Sequence, residues 1–565
     1  MKITGSQAIV KSLEALGVDC IFGYPGGAIM PTYDALHEAK DTIHHVLVRH
    51  EQGAVHAAVG YARATEKVGV AIATSGPGAT NLITGIADAQ IDSVPLVCIT
   101  GQVFSPLLGT DAFQEADIIG MSVAATKWNY QITDPNEIPE IFKKAFEIAS
   151  NGRPGAVLID ITKDAQVGMM EYKEAVGNKL GKWLHKPTIN MDDILKASEY
   201  INNAKKPILI TGHGVMLSGA EEAVLKLAEK ANVPVVSTLL GLSAFPYNHE
   251  LYKGMLGMHG NYAANILCNE ADVVIAVGMR FDDRVTGDLN HYLPNAKIIH
   301  IEIDPSEINK NVKVDIGINA DAKEALNALL PYIASNSHPE WHQEFASEHE
   351  KEVRAIIKDE TMPTDGEIKM AEVINLLSKA TNGRAIIVSD VGQHQMIAAR
   401  YYQFLETNSH ISSGGLGTMG FALPAAIGAK MGVKDNRTVV AVIGDGGFQM
   451  NIQELAVLNQ EEINVKILIL NNSFLGMVRQ WQELFFESRY SYTKISSPDF
   501  MKVAEAYGIQ AERVKDRKDL NDALTRFLNS DSSYLLEVMV ENQENVFPMV
   551  PAGESISNTK LGTER

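Results

Sequence analysis

Short apolar runs recur along the chain, separated by longer stretches in which apolar residues return with helical spacing. In the first third the runs cover residues 68–74, 95–100 and 156–161, and a further one, Val46-Leu-Val48, leads toward an alanine-rich helix. The middle third holds 207–211, 233–237, 272–278 and 298–304, and the last third 384–390, 439–443, 465–470 and 534–540. These runs are continuous rather than alternating, as strands buried on both faces of a parallel sheet must be. Strands of that kind alternating with amphipathic helices predict an α/β protein built of three parallel-sheet domains. The first and third blocks share a rhythm, which suggests a pair of similar domains. The expected domains are 1–170, 190–335 and 366–545, with a C-terminal arm over 546–565 that carries Pro548, Pro551 and Gly553 and little periodicity. The polar stretch 171–192 and the charged stretch 335–365, with Glu348, Glu350, Lys351 and Glu352 close together, read as linkers.

Composition narrows the function classes. At 565 residues, 45% hydrophobic and 21% charged, the chain fits a soluble globular protein of roughly two to four domains. A net charge of −20 argues against nucleic acid or an anionic membrane as the principal partner, because phosphate binding needs the opposite sign. Cys20, Cys98 and Cys268 are far apart, and the last two lie in or beside apolar runs. That pattern reads as reduced, buried thiols of a cytoplasmic protein rather than a disulfide framework. The opening residues Met1-Lys-Ile-Thr-Gly5 show no apolar signal core or Arg/Ser-rich transit segment, and no apolar window is long enough to span a membrane.

The densest chemistry lies between residues 439 and 472. An apolar run ends at Gly444-Asp445-Gly446-Gly447, a helix is expected over 448–460, and a second run ends at Asn471-Asn472. This predicts strand, tight glycine turn, helix and strand, with Asp445 and Asn472 just past the strands' carboxyl ends, where open α/β sheets bind ligands. Glycines let the backbone approach an anion, and the helix can aim its N-terminus at it. A carboxylate with an amide carbonyl also suits Mg²⁺, which keeps water and phosphate oxygens in its shell. Gly-Asp-Gly alone is common, but followed after 24 residues by Asn-Asn at a strand end it is specific. That pairing is similar to the diphosphate-binding signature of thiamine diphosphate enzymes.

In the first block, His50-Glu51 does not make a zinc protease, because Ala54 stands where the second histidine would be and His56 is displaced. By itself Glu51 could be a solvated carboxylate at a helix N-terminus. In context, Arg49-His-Glu51-Gln-Gly-Ala54, Ser75-Gly-Pro-Gly-Ala-Thr-Asn81 and Gly109-Thr-Asp-Ala-Phe113-Gln114 resemble the pyrimidine-binding domain of the acetohydroxyacid (acetolactate) synthases. Gly257-Met258-His259 and Gly278-Met-Arg280-Phe-Asp-Asp283-Arg284 carry the resemblance through the middle block. Gly415-Leu-Gly-Thr-Met419 and Gly476-Met-Val-Arg-Gln-Trp481 carry it through the third, so that it spans about residues 3–550, with the domains in the family's order.

The resemblance implies thiamine diphosphate, Mg²⁺ and FAD as cofactors, with pyruvate and 2-oxobutyrate as substrates. Glu51 would favour the aminopyrimidine tautomer that takes the thiazolium proton, which asks for a largely apolar setting. Met419 would be the wedge that bends the cofactor. Gln114 and Gly27 would lie near the reacting centre, Gly27 in a loop whose amides could stabilise oxyanions. Asp445, Asn472 and the carbonyl of Phe474 would hold the metal. Gly392, Gln393, His394, Gly417, Gly444, Gly446, Gly447 and Met477 would complete the cofactor site. Arg153, Gly212, Gly214, Met258, His259, Arg280, Asp304 and Asp321 would lie near the flavin, whose role would be mainly structural. Arg284, Trp481, Phe113 and Lys163 would meet the substrates. The implied reaction decarboxylates pyruvate and adds the hydroxyethyl carbanion to a second 2-oxoacid, the first shared step of branched-chain amino-acid synthesis. A homodimer or tetramer with a separate small regulatory subunit is also implied. A flavin-linked pyruvate oxidase or other thiamine diphosphate-dependent decarboxylase of the same architecture, and a non-catalytic scaffold, remain alternatives to be separated by assay.

Overall fold

The computed structural model describes residues 1–175 and 187–562. Residues 176–186 of the expected linker and 563–565 of the expected arm lie outside the described residues. Three six-stranded parallel sheets, each flanked by helices, account for the bulk of the chain, and a small antiparallel pair joins Lys2–Thr4 to Met169–Glu171.

The first sheet takes its strands in chain order from Cys20–Gly23, His44–Leu47, Gly69–Ala73, Leu96–Gln102, Trp128–Ile132 and Ala156–Thr162. Numbered one to six, they lie in the order 2-1-3-4-6-5. The third sheet, from Ile386–Ser389, His410–Ser412, Val439–Gly444, Lys466–Asn471, Gln510–Val514 and Tyr534–Met539, repeats that order strand for strand. The middle sheet differs. Pro207–Thr211, Val235–Ser237, Tyr252–Met255, Val273–Val277, Lys297–Glu302 and Ile316–Asn319 lie in the order 3-2-1-4-5-6, that of doubly wound dinucleotide-binding sheets. The strand order of each sheet reverses beside its first strand, and a crevice of that kind is where open sheets place ligands. In the outer sheets it lies between strands one and three, and in the middle sheet between one and four.

The two outer sheets share one apolar core, which runs from Phe22, Ala71 and Cys98 into Val388, Ala441 and Ile469. Its seam is a helix pair, Glu51–Thr65 against Ala422–Gly432, pressed together at glycines. A Cβ on Gly60 would stand 1.9 Å from the Ala425 carbonyl oxygen, and one on Gly428 would stand 1.7 Å from that of Ala57. The middle sheet has a core of its own, from Leu209, Val224 and Ile275 to Leu326.

Two segments depart from the sequence reading. Asp445, Gly446 and Gly447 form the first turn of a helix, Asp445–Met450, rather than a turn before it. That helix stops at Asn451, whose backbone leaves helical angles (φ −134°, ψ 30°) while its side-chain amide donates to the Gly420 carbonyl at 2.7 Å. A single turn at Ile452–Glu454 and a second helix, Leu455–Gln460, follow, so no continuous helix spans 448–460. The charged stretch after the middle sheet is also helical, over Pro339–Glu352, and continues through residue 361. Trp341 and Phe345, one turn apart, bury one face against the middle domain. Buried Glu352 reaches into the third domain to pair with Arg400 at 2.7 Å.

The C-terminal stretch returns to the middle domain. Val550 N–H donates to the Met258 carbonyl, Asn265 and Asn269 donate to Thr559, Ser555 and Ser557, and Val550 and Ile556 are buried. Cys20, Cys98 and Cys268 are free and buried. Among the described residues no helix is long and apolar enough to cross a membrane.

Candidate active site

The carboxyl ends of the third sheet's first and third strands open into a cavity of about 1450 Å³ that continues along the crevice of the middle sheet. On the third-sheet side it is walled by Gly392, Gln393, His394, Gly417, Met419, Gly444, Gly446, Gly447, Asn472, Phe474 and Met477. The glycines are required sterically. A Cβ on Gly444 or Gly392 would meet the His394 ring at 2.8 Å, one on Gly447 would meet Asp390 Oδ1 at 2.5 Å, and one on Gly446 would meet Leu475 at 2.8 Å. Bare backbone therefore lines the place where a diphosphate would lie, beside a helix N-terminus.

Asp445 is fully buried at that N-terminus. Its Oδ2 accepts from Ser497 at 3.2 Å, while Oδ1 has no protein partner. Burial pushes its carboxyl up to about 6, against the lowering effect of Ser497. Asn472, at the end of the neighbouring strand, donates to Gln393 Oε1 and accepts from Phe474 N–H, both at 3.2 Å. An orphaned carboxylate oxygen and a neighbouring amide oxygen beside a glycine cradle are hard donors of the kind that would suit Mg²⁺. His394 Nε2 is likewise buried and unpartnered, and burial pulls the ring down to about 3, so the imidazole is neutral.

Toward the middle sheet the walls are Gly214, Met258, His259, Arg280, Asp304 and Asp321, with Arg153 from the first domain. Gly212 ends the first strand just behind this wall, where a Cβ would stand 2.1 Å from the Gly278 carbonyl oxygen, and Gly214 N–H donates to that same oxygen. Arg153 bridges the domains: Nε donates to Ser93 at 2.8 Å and Nη1 to Glu307 at 2.7 Å, with Asp304 at 3.5 Å. The crevice thus offers bare backbone at the strand ends and one fixed guanidinium, a surface that fits a long dinucleotide such as FAD.

Between these two ends lie Arg284 and Trp481. Arg284 opens a short helix, Asp283–Thr286, capped by Asp282, and its carbonyl accepts from Met258 N–H at 2.7 Å. Its guanidinium is largely exposed to the cavity beside Met258 and Asp283. Trp481 projects from helix Gly476–Phe485 with its ring 5.2 Å from that of Phe485.

Glu51, Gln114, Gly27, Phe113 and Lys163 do not line this cavity. They gather instead at the carboxyl edge of the first sheet. Glu51 is the first residue of its helix, half-buried, and accepts from Asn81 Nδ2 at 2.9 Å. The apolar setting expected for it is not provided within one chain. Gln114 is held in a left-handed conformation (φ 57°) over Gly76, where a Cβ would meet its backbone at 2.9 Å. Phe113 beside it is 88% exposed, Gly27 faces open space, and Lys163 Nζ lies 5.8 Å over the Phe104 ring.

Several residues at the cavity escaped the sequence reading. Asp390, buried behind Gly447, accepts from Val391, Gly420 and Ala422 N–H at 2.9–3.0 Å. His213 lines the middle crevice and is tied to the Asp92 carbonyl. Asp390 had a signal, its place at the end of a central strand; His213 lay inside a glycine turn that looked weak.

Profiles of the thiamine pyrophosphate enzyme match the chain in three parts: the N-terminal TPP binding domain at residues 3–121, the central domain at 194–329 and the C-terminal TPP binding domain at 390–538. The probable acetolactate synthase large subunit of Methanocaldococcus jannaschii is 46% identical, over 98% of this chain and 94% of its own length. The acetolactate synthase isozyme 2 large subunit of Escherichia coli is 45% identical, over 98% and 99%. The acetolactate synthase large subunit of Lactococcus lactis is 45% identical, over 97% and 95%. With likeness at that level along nearly its whole length, the chain belongs to the thiamine pyrophosphate enzymes, in the family of the acetolactate synthase large subunits.

Proposed function

We propose that the chain is the catalytic subunit of a thiamine diphosphate-dependent acetolactate synthase. It decarboxylates pyruvate and joins the remaining two-carbon unit to a second 2-oxoacid. Pyruvate as acceptor gives 2-acetolactate, and 2-oxobutyrate gives 2-aceto-2-hydroxybutyrate, products that feed branched-chain amino-acid synthesis. The observation that carries this reading is one cavity lined both by the glycine cradle around buried Asp445, whose Oδ1 has no partner, and by Arg284 and Trp481.

Bound thiamine diphosphate supplies the carbon nucleophile and the electron sink for decarboxylation. The chain's own residues bind, orient and move protons. Asp445, Asn472 and the Phe474 carbonyl would hold Mg²⁺, which would neutralise the diphosphate, with Gly392, Gln393, His394, Gly444, Gly446, Gly447 and Met477 lining the place for it. Met419, on its loop with Gly417, would press on the cofactor as a wedge and favour its reactive shape. Glu51 holds the proton against the aminopyrimidine ring, and Gln114 and the Gly27 loop stabilise charge at the reacting centre. Arg284 pairs with the acceptor carboxylate, Trp481 packs against its alkyl group, and Phe113 and Lys163 close the substrate side. Arg153, Gly212, Gly214, Met258, His259, Arg280, Asp304 and Asp321 would hold FAD in the middle crevice, a role supported by the 3-2-1-4-5-6 sheet order.

Because Glu51 and Asp445 face different regions of one chain, each active site takes its Glu51 end from a second copy, and a homodimer is the minimum active unit. Exposed Phe113, Met121 and Val123 beside the first cluster, and exposed Met450, Phe485, Phe486 and Tyr492 on the third domain, support such a contact. A tetramer of two such dimers, a separate small regulatory subunit and a cytoplasmic location complete the proposal. The test is incubation with pyruvate, thiamine diphosphate, Mg²⁺ and FAD. Acetolactate formed without reduction of an electron acceptor is the expected result. Pyruvate consumption that requires an electron acceptor, with no acetolactate, would make the protein a flavin-linked oxidase instead.

A further inference from the structure

We propose that Asp92 and Asp88, both from the first domain, are positioning residues for the loop that carries Met419. The assignment rests on the cofactor reading above, since it is Met419 that they place. Asp92 follows helix Ile83–Ile91 and accepts two successive loop amides, Gly414 N–H on Oδ2 at 2.8 Å and Gly415 N–H on Oδ1 at 2.7 Å. Asp88, on that helix, accepts from Ser413 Oγ–H at 2.5 Å, and Ser413 Oγ in turn accepts from Thr418 N–H at 2.8 Å. The far end of the loop is held by Asp390, which accepts from Gly420 N–H at 3.0 Å. Four N–H groups between Gly414 and Gly420 therefore end, directly or through one hydroxyl, on buried carboxylates.

The loop's own sequence is built for that grip. Gly415 leaves no room for a side chain, because a Cβ would stand 2.8 Å from Asp92 Oδ1. Gly417 and Gly420 turn the chain at φ +71° and +85° on either side of Met419. Met419 in turn reaches the cradle, its Cε 3.8 Å from where a Gly446 Cβ would be. Behind the carboxylates, Arg63 donates to the Ser412 and His410 carbonyls, His56 Nδ1 lies 3.6 Å from Asp88, and His213 Nδ1–H donates to the Asp92 carbonyl at 3.1 Å. The first domain thus sets the height of the wedge in the third domain of the same chain.

A carboxylate is specifically needed at position 92. An amide of the same shape has one acceptor oxygen, so Asp92→Asn would turn its NH₂ against a glycine N–H and displace the loop. Displacement of a positioning contact by about an ångström can cost as much as about a hundredfold in a geometry-dependent step. The readout is the rate at which the C2 proton of bound thiamine diphosphate exchanges with deuterium, measured by NMR without substrate, together with cofactor affinity and the unfolding midpoint. Asp92→Asn should slow the exchange roughly ten- to a hundredfold, with cofactor affinity close to wild type and an unfolding transition that stays cooperative at a modestly lowered midpoint. Ser413→Ala, which removes a single hydroxyl and keeps the fold, should slow it in the same direction. In a cycle with Met419→Ala, either change should add little to the slowing already caused by losing the wedge. Wild-type exchange in Asp92→Asn and Ser413→Ala, or full multiplication with Met419→Ala, would overturn the assignment. A wild-type protein that does not retain thiamine diphosphate at all would overturn the functional reading instead, and this assignment with it, since no wedge would then be needed.

Discussion

The first and third domains are twins in topology and opposites at their ligand-binding edges. Both sheets run 2-1-3-4-6-5, and both offer a crevice between strands one and three. In the third domain that crevice is bare backbone with a buried, half-satisfied Asp445, open to a large cavity. In the first it presents Glu51, Asn81 and Gln114 on half-exposed surface outside that cavity. The fold alone therefore does not say what an edge binds; the residues at the strand ends do. In the proposed reading one edge holds an anion and a metal and the other holds a proton. Although the twins pack together through helices Glu51–Thr65 and Ala422–Gly432, the Glu51 edge does not line the cavity at the edge of the third sheet.

The largest expected effect tests the proton-holding edge. Glu51→Gln should leave the fold and Mg²⁺ binding intact and lower turnover by about 10²–10⁴-fold, the usual loss when an acid–base group is removed. Near-normal turnover at saturating cofactor would remove Glu51 from the chemistry. The metal-holding edge should fail differently. Asp445→Ala should weaken Mg²⁺ and thiamine diphosphate binding by at least the ~10–100-fold typical of lost outer-shell partners, seen by calorimetric titration. If the two edges serve one site from two chains, mixing the two inactive variants under subunit exchange restores part of the activity. Exchange without recovery would mean that each chain holds a complete site.

The seam between the twins can be attacked directly. Gly428→Ala places a methyl group 1.7 Å from the Ala57 carbonyl oxygen, so the helices must part. Overpacking of this kind costs about 1–3 kcal/mol, to be read as a lowered unfolding midpoint in urea. An unchanged midpoint would show that the seam is looser than the glycines suggest.

How much of this was legible in the sequence differs between the centre and the rim of each sheet. The central strands were read because burial on both faces demands continuous apolar runs, as in Val439–Gly444 and Val273–Val277. Most strands at the sheet edges were not, nor was the short buried strand Cys20–Gly23. Trp128–Ile132, Ile316–Asn319 and Gln510–Val514 alternate or carry polar residues, and His410–Ser412 spans three residues, because an edge strand buries less of itself. The glycine cradle and the Asp445/Asn472 pair were legible because their spacing is short and fixed by one strand–helix–strand unit. The grip of Asp88 and Asp92 on the Met419 loop was not, since it joins positions more than 300 residues apart. Nor was the helix over 339–361, whose charged face hid Trp341 and Phe345.

A smaller effect concerns the mouth of the cavity. Trp481→Leu removes an aromatic surface against which one methylene of 2-oxobutyrate is worth about 1–3 kcal/mol. With both 2-oxoacids present, the ratio of 2-aceto-2-hydroxybutyrate to acetolactate should fall several-fold while acetolactate formation persists. Arg284→Ala should depress both products together, because both acceptors carry the carboxylate. An unchanged ratio in Trp481→Leu would assign the ring to packing against Phe485 alone.

The smallest effect tests how the twins are tied at the edge that carries Glu51. Glu454, from the third domain and fully buried, accepts from Arg49 N–H at 3.1 Å just ahead of the Glu51 helix. Its Oε1 takes the space that a Cβ on Gly53 would need. Burial raises its carboxyl from the ordinary 4.5 to about 7, opposed by the Arg49 amide and guanidinium. Between those values the folded protein holds a proton that the unfolded chain has released. The stabilisation from this group is therefore complete below about pH 4.5 and is lost as pH rises through about 7. Glu454→Gln cannot titrate, yet its amide oxygen can still accept from Arg49. Urea midpoints for both proteins between pH 5 and pH 8 should diverge, with the wild type losing stability relative to the variant as pH rises. A difference that stays constant across the range would mean that Glu454 is ionised throughout, with Arg49 outweighing the cost of burial.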